Sequence, residues 1–174
     1  MSGKFCGWVP DLKERINNKP KITYVHGDEA LLDEIYPLWE SLNVHHLGLS
    51  RDFKQYYKDL NFAERKAGLL KKAKSAQMRV DLALDEDSGR NVGYVVSSVN
   101  EAKTGEIESM FVDEKFRGLG IGEALVKRAL AWMDKKGAES KIVEVAAGNE
   151  QAFSFYRRFG FVPRETVLKQ VKKR

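Results

Sequence analysis

The stretch Glu106–Leu130 constrains this chain more than any other. Glu106-Ile107-Glu108-Ser109-Met110-Phe111-Val112 predicts a strand, and Asp113–Phe116 a short charged turn. The run Arg117-Gly118-Leu119-Gly120-Ile121-Gly122 then leads without a break into a helix opening at Glu123. A strand, a glycine-rich turn and a helix N-terminus make an anion site. The first-turn N–H groups of a helix have no intrahelical acceptor, and the helix dipole places about half a positive charge beside them. Glycine lets such a backbone approach a bulky phosphate with no Cβ in the way. The expected ligand is therefore a large anionic cofactor.

The surrounding pattern sets the architecture. Lys21–Val25 alternates apolar and polar residues and predicts a first strand. Asp28 can cap a helix carrying Leu31, Leu32, Ile35, Leu38, Trp39 and Leu42 on one face, with a kink expected at Pro37. Asn43–Ser50 is expected as a loop. Helical spacing returns at Phe53, Tyr56, Tyr57 and Leu60, and restarts near Asn61 with Phe62, Leu69, Leu70 and Ala73. Met78–Leu84 alternates with period two, placing Val80, Leu82 and Leu84 on one face. Asp85–Arg90 is a hairpin turn, Asn91–Val99 the returning strand and Asn100–Gly105 the next turn. Strand 106–112 thus completes an antiparallel meander. The following helix carries Ile121, Leu125, Ala129, Trp132 and Met133 on one stripe and stops at Gly137. Lys141–Ala146 is a strand reached through that helix, so it should lie parallel to strand 106–112. Asn149 is placed to cap a helix with Ala152, Phe155, Tyr156 and Phe159 on one face, and Phe161–Val171 is expected as a last strand.

Two familiar phosphate motifs do not fit. A dinucleotide fingerprint needs G-x-G-x-x-G, and the third glycine would fall on Glu123 or Leu125. A P-loop needs Gly-Lys-Ser/Thr, whereas Glu123 and Ala124 follow Gly122. The run Arg117-x-x-Gly120-x-Gly122 after Phe111-Val112 instead closely resembles the acetyl-CoA signature of the GNAT superfamily of N-acetyltransferases. Asn149, Ala152, Phe155-Tyr156 and Gly160-Phe161 resemble that superfamily's later motif, in the same order. The resemblance is specific from about Met78 to Phe161, is carried only by element order from Lys21 to Gln77, and does not reach Met1–Pro20.

The resemblance implies an α/β fold, a mixed and centrally splayed β-sheet flanked by helices. It implies a single domain over 21–174 behind an N-terminal extension, 1–20. The implied activity is acetyl transfer from acetyl-CoA to a primary amine of a small molecule or a protein N-terminus, by direct attack in a ternary complex. An acetyl-CoA-binding regulator without turnover is the alternative. By the same resemblance the backbone from Arg117 through Gly118, Leu119, Gly120, Ile121 and Gly122 to Glu123 holds the pyrophosphate. Met110, Phe111 and Val112 pair with the pantetheine arm where two parallel strands part, and Asn149 contacts it. Tyr156 stands near the thioester sulfur. Full proton donation from a tyrosine of pKa about 10 to a thiolate of about 8.5 is uphill by roughly 2 kcal/mol, so a hydrogen bond to sulfur or a relay is easier. Glu106 and Glu108 share a strand face and are both candidate general bases: Glu106 stands where some members of the superfamily carry a basic glutamate, and Glu108, nearer the thioester, is slightly favoured. His45 and His46, expected on a loop, are candidate acceptor contacts.

Composition bounds the rest. The 174 residues are 43% hydrophobic and 32% charged, ordinary for a globular chain. No apolar run approaches the roughly 18–20 residues of a membrane span, and Met1–Pro10 lacks a signal-peptide core, so a cytoplasmic location is expected. The net charge of +5 owes part of its excess to Lys169, Lys172, Lys173 and Arg174. The other basic residues are mixed with acids, with no stripe for nucleic acid. The single cysteine, Cys6, excludes an internal disulfide and a thiolate metal site, and no metal is expected. A homodimer is left open.

Overall fold

A computed structural model describes residues 19–171. Asp11–Asn18, which the sequence would allow as a short helix, lies outside the described residues, as do Cys6 and the last three basic residues. Five strands form one sheet in the order β1-β2-β3-β4-β5. They are β1 (Ile22–Gly27), β2 (Ala76–Asp85), β3 (Arg90–Asn100), β4 (Thr104–Val112) and β5 (Ser140–Val143). The first four run as an antiparallel meander, and β5 joins β4 in parallel, which makes the sheet mixed.

Helices cover both faces. On one face lie a 3-10 helix (Glu29–Ile35), α1 (Tyr36–Leu49), α2 (Lys54–Asp59) and α3 (Phe62–Ala73). Leu32, Ile35, Leu38, Trp39 and Leu69 from this group pack on Val80, Leu82, Tyr94, Val96 and Phe111. On the other face α4 (Ile121–Lys135) buries Ile121, Leu125, Ala129, Trp132 and Met133, the stripe expected from the sequence, against Val92, Val95, Val99 and Ile107. Strand β3 is buried on both sides, and so its centre reads as a valine-rich run rather than an alternation. Asp81, fully buried on β2, is held between Arg79 (2.6 Å) and Arg128 of α4 (2.9 Å), which ties the helix to the sheet.

Five expectations need correction. Pro37 does not kink a helix: it sits in the first turn of α1, where its missing N–H costs nothing, and a 3-10 helix precedes it. Asn43–Ser50 is not a loop, because α1 continues to Leu49. The polar residues there carry no helix breaker strong enough to oppose burial of Leu38 and Trp39 one turn back. Asn149 does not cap through its side chain. The residue before α5 (Gln151–Arg157) is Glu150, with no side-chain cap, and only the Asn149 carbonyl contributes, accepting from Ala152 N at 3.0 Å. Phe161–Val171 forms no strand. It carries Pro163 and adjacent charges, and Val167 and Leu168 are about nine-tenths exposed. Lys141–Ala146 likewise shortens to β5, which stops at Val143.

Candidate functional site

The glycine run has the backbone form that an anion cradle requires. Gly118 and Gly120 take positive φ values of 79° and 84°, and Gly120 is the residue before α4, with no side-chain cap. The first intrahelical bond there is Ala124 N to Gly120 O at 3.0 Å, so the N–H groups of Ile121, Gly122 and Glu123 have no intrahelical partner. A Cβ on Gly122 would stand 3.2 Å from Met110 Cε, so glycine lets the helix start lie directly on β4. Arg117 does not reach outward. Its Nε donates to Val112 O at 3.2 Å, its guanidinium lies 5.3 Å from the Phe111 ring centroid, and it pairs with Glu114 at 3.4 Å. It therefore fastens the loop to the end of β4. Glu123 is a carboxylate at the helix start. Lys127 (2.7 Å) and Arg158 neutralise it, and Lys127 above all lowers its pKa.

Beside this cradle the sheet opens. Pairing of β4 with β5 covers only Thr104–Ile107 against Ser140–Val143, yet β4 runs on to Val112. The chain after β5 turns away through Gly148 (φ 92°), where a Cβ would meet Leu49 O at 2.5 Å. A cavity of about 830 Å³ follows the gap. It is lined by Met110, Phe111 and Val112 on one side, by Val145, Ala146 and Asn149 on the other, and by Gly118, Gly120 and Gly122 at one end. Tyr156 reaches into it from α5. Its hydroxyl donates to Met110 Sδ at 3.8 Å, its ring packs on Phe155 and Phe161, and desolvation pushes its pKa up to about 12.

The two candidate glutamates differ. Opposite Ser97 stands Ile107 and opposite Val96 stands Ser109, so Glu108 is the extra residue of a bulge. The bulge resets the alternation. Ile107 and Met110 pack toward α4, whereas Phe111 joins the other face and Ser109 Oγ meets the buried Tyr94 hydroxyl at 2.8 Å. Glu108 is only 5% exposed in its side chain and lines the cavity; Glu106 is 20% exposed and does not. Lys72 Nζ of α3 lies 2.5 Å from a carboxylate oxygen of each. Ser98 Oγ donates to Glu108 Oε1 at 2.6 Å, and Arg65 to the Glu108 carbonyl at 2.6 Å. Desolvation opposes the charge of Lys72, but the two carboxylates outweigh it together and its pKa is raised.

His45 and His46 both line the cavity, from helix α1. Their rings lie 6.1 Å apart, with the His45 ring 6.5 Å from Phe111 and the His46 ring 5.6 Å from Tyr57. Burial lowers the pKa of both. Among the described residues no group of three or more His, Cys, Asp or Glu side chains is placed to hold a metal, and no helix is long and apolar enough to cross a membrane. Sequence reasoning missed Lys72, Arg65 and Ser98. Lys72 and Arg65 lie seven positions apart and so share a helical face, but no pattern along the chain pairs that face with β4.

Residues 36–161 match the model of the Acetyltransferase (GNAT) family. Over 99 residues the chain is 38% identical to an uncharacterized N-acetyltransferase of Methanocaldococcus jannaschii, covering 51% of this chain and 43% of that protein. It is 36% identical over 84 residues to N-alpha-acetyltransferase 30 of Schizosaccharomyces pombe, covering 46% of this chain and 55% of that one. The same identity holds over 85 residues to a mycothiol acetyltransferase of Mycolicibacterium vanbaalenii, covering 46% and 28%. The chain thus spans about half or less of the length of these relatives. Among solved structures, a putative acetyl transferase from Pyrococcus furiosus superposes with a TM-score of 0.66 at 22% identity, covering 87% of this chain and all of that one. AAC(6')-Iy, in complex with the bisubstrate analog CoA-S-monomethyl-acetylneamine, superposes at 0.61 with 17% identity, covering 88% and 99%. At such identities the likeness concerns the fold.

Proposed function

The chain belongs to the GNAT acetyltransferase family, and from that premise we propose that it transfers the acetyl group of acetyl-CoA to a primary amine by direct attack in a ternary complex. One observation carries the reading: the glycine cradle, the open flank of β4 and the Tyr156 hydroxyl all face one continuous cavity. An anion-binding helix start, an unpaired strand edge and a proton donor are what a long anionic thioester needs, in that order. The family match supports acetyl-CoA as the acyl donor.

Each residue then has a task. The N–H groups of Ile121, Gly122 and Glu123 hold phosphate oxygens, with Gly118 and Gly120 shaping the turn. The flank of β4 at Met110, Phe111 and Val112 supplies backbone partners to the amides of the pantetheine arm. Arg117 is engaged with Val112 O, so its contribution is to brace the loop. Asn149 borders the arm. Acetyl-CoA supplies the activated thioester when bound. Tyr156, held protonated by burial, donates a hydrogen bond to the sulfur as negative charge develops there. Glu108 takes the proton of the acceptor ammonium, directly or through a water, and Glu106 shares Lys72 with it.

Thiol release from acetyl-CoA across a panel of amines tests the reading. Turnover on some amine, lost in Glu108→Gln with acetyl-CoA affinity retained, is the expected result. One observation favours the alternative of a regulator that binds acetyl-CoA without turnover: Lys72 already occupies both carboxylates. Tight acetyl-CoA binding with no thiol release on any acceptor would establish that alternative.

A further inference from the structure

The far end of the cavity from the glycine cradle is apolar and aromatic. Trp39, Leu42, His46, Tyr57 and Leu60 line it around Glu108. Its charged groups are one paired carboxylate and one guanidinium. Glu108 holds Lys72, and the Arg65 guanidinium donates to the Glu108 carbonyl. His46 is kept neutral by burial near pH 7. A polycation would bring several ammonium groups into a space with one paired carboxylate, at a desolvation cost with nothing to offset it. One amine on an apolar body fits.

Ionisation narrows the class further. A carboxylate already shared with a lysine is a weak means of deprotonating an alkylammonium of pKa about 10.4. An α-amine, with pKa about 7.7–8.0, is free several hundred times more often at neutral pH.

A second cavity of about 900 Å³ adjoins the first, sharing Trp39, Asn43 and Leu60 as a common wall. It runs between the 3-10 helix, α1 and α3. Tyr36 and Phe62 line it, with ring centroids 5.1 Å apart, and Asp33, Glu40 and Lys66 rim it. Tyr36 is 44% exposed and Val44 68% exposed on this open apolar face. Asn43 Oδ1, in the shared wall, is buried with no hydrogen-bond donor among the described residues. An unsatisfied acceptor of this kind is costly, and a small shift of the wall would let an arriving N–H satisfy it.

We infer that the acceptor is the N-terminus of a peptide with a large apolar first residue. That residue seats among Trp39, Leu42, Tyr57 and Leu60, and the following residues cross the Asn43 wall into the Tyr36–Phe62 groove. The inference rests on the transfer reading above. In the step, the free α-amine nitrogen forms a bond to the acetyl carbon, the carbon–sulfur bond breaks, and CoA leaves as the thiol. The net proton passes from the ammonium to Glu108 and solvent.

The test uses the full chain with acetyl-CoA and four acceptors. They are a heptapeptide beginning Leu, the same peptide beginning Asp, leucine amide, and spermidine. The Leu peptide should exceed both the Asp peptide and leucine amide by about tenfold or more in kcat/KM, the scale of lost pocket contacts, and spermidine by a wider margin. Tyr36→Ala should cost the peptide about tenfold and leucine amide less than about twofold, since only the peptide reaches the groove. Equal rates on peptide and amide overturn the groove, and a preference for spermidine overturns the acceptor class. If no acceptor releases thiol while acetyl-CoA still binds, the transfer reading fails. Calorimetric binding of the Leu peptide in the presence of CoA then decides the groove alone, and no binding overturns it.

Discussion

Replacing Tyr156 by Phe removes one hydroxyl and keeps the ring packed on Phe155 and Phe161. The hydroxyl's partner is Met110 Sδ at 3.8 Å, a weak acceptor whose loss costs little in the resting protein. Burial pushes the tyrosine pKa up to about 12. Against a thiol of pKa about 8.5, complete proton transfer would be uphill by about 5 kcal/mol, so the useful role is a hydrogen bond to developing thiolate charge. Hydrogen bonds to charged groups contribute about 1.5–3 kcal/mol. Tyr156→Phe should therefore lower kcat by about 10- to 150-fold. Affinity for acetyl-CoA and the melting temperature should barely move, because the interaction strengthens only as the thioester breaks. Thiol release under saturating acetyl-CoA reads kcat, and calorimetric titration reads affinity. With the hydroxyl titrating near 12, neither form should owe an alkaline limb below about pH 10 to this residue. A kcat within about twofold of wild type would refute the role. So would an alkaline limb near pH 8–9 that disappears in the variant.

Gly120→Ala places a Cβ at φ 84°, in open space within the protein but over the proposed phosphate site. The backbone strain should cost about 1–2 kcal/mol in a denaturation curve, and titration should show acetyl-CoA affinity falling more steeply than stability. Lys72→Met leaves Glu106 and the nearly buried Glu108 without their cation. The urea midpoint should fall by the equivalent of about 2 kcal/mol, less than for a fully buried pair because Lys72 is partly exposed. An unchanged midpoint would mean the carboxylates are paired by Ser98 and solvent alone. Burial lowers the pKa of His45 and His46, so the unfolded chain binds more protons than the folded one below about pH 6.5. Stability should be full above that pH and fall on acidification, and His46→Gln should flatten the fall in melting temperature.

The glycine turn and the helix start that follows it were legible because their conformation is local. Gly118, Gly120 and Gly122 must suit one turn and one helix start, and their spacing alone distinguishes this loop from two other phosphate motifs. The α4 stripe and the meander were legible for the same reason, since each follows from periodicity within one element. The histidines were misplaced because nothing between Leu42 and Ser50 announces whether a helix ends. That depends on what Leu38 and Trp39 pack against. Phe161–Val171 alternates well enough for a strand, yet a strand exists only beside a partner, and β5 ends after four residues.

By itself the sequence determined the order of strands and helices and the glycine turn at a helix start, which rest on residue type and spacing within single elements; the splayed sheet and the nomination of Tyr156 and Glu108 came from the resemblance of its motifs to the GNAT superfamily. Tertiary structure alone decided where β4 and β5 part and that Glu108 is a bulge residue clamped by Lys72. It also decided that a second groove adjoins the first across Asn43. The physical reason is range. Propensity, capping and turn chemistry act between neighbours in the chain. Strand register, ion pairs between α3 and β4, and the shape of a cavity depend on residues dozens of positions apart, whose approach only the packed core fixes.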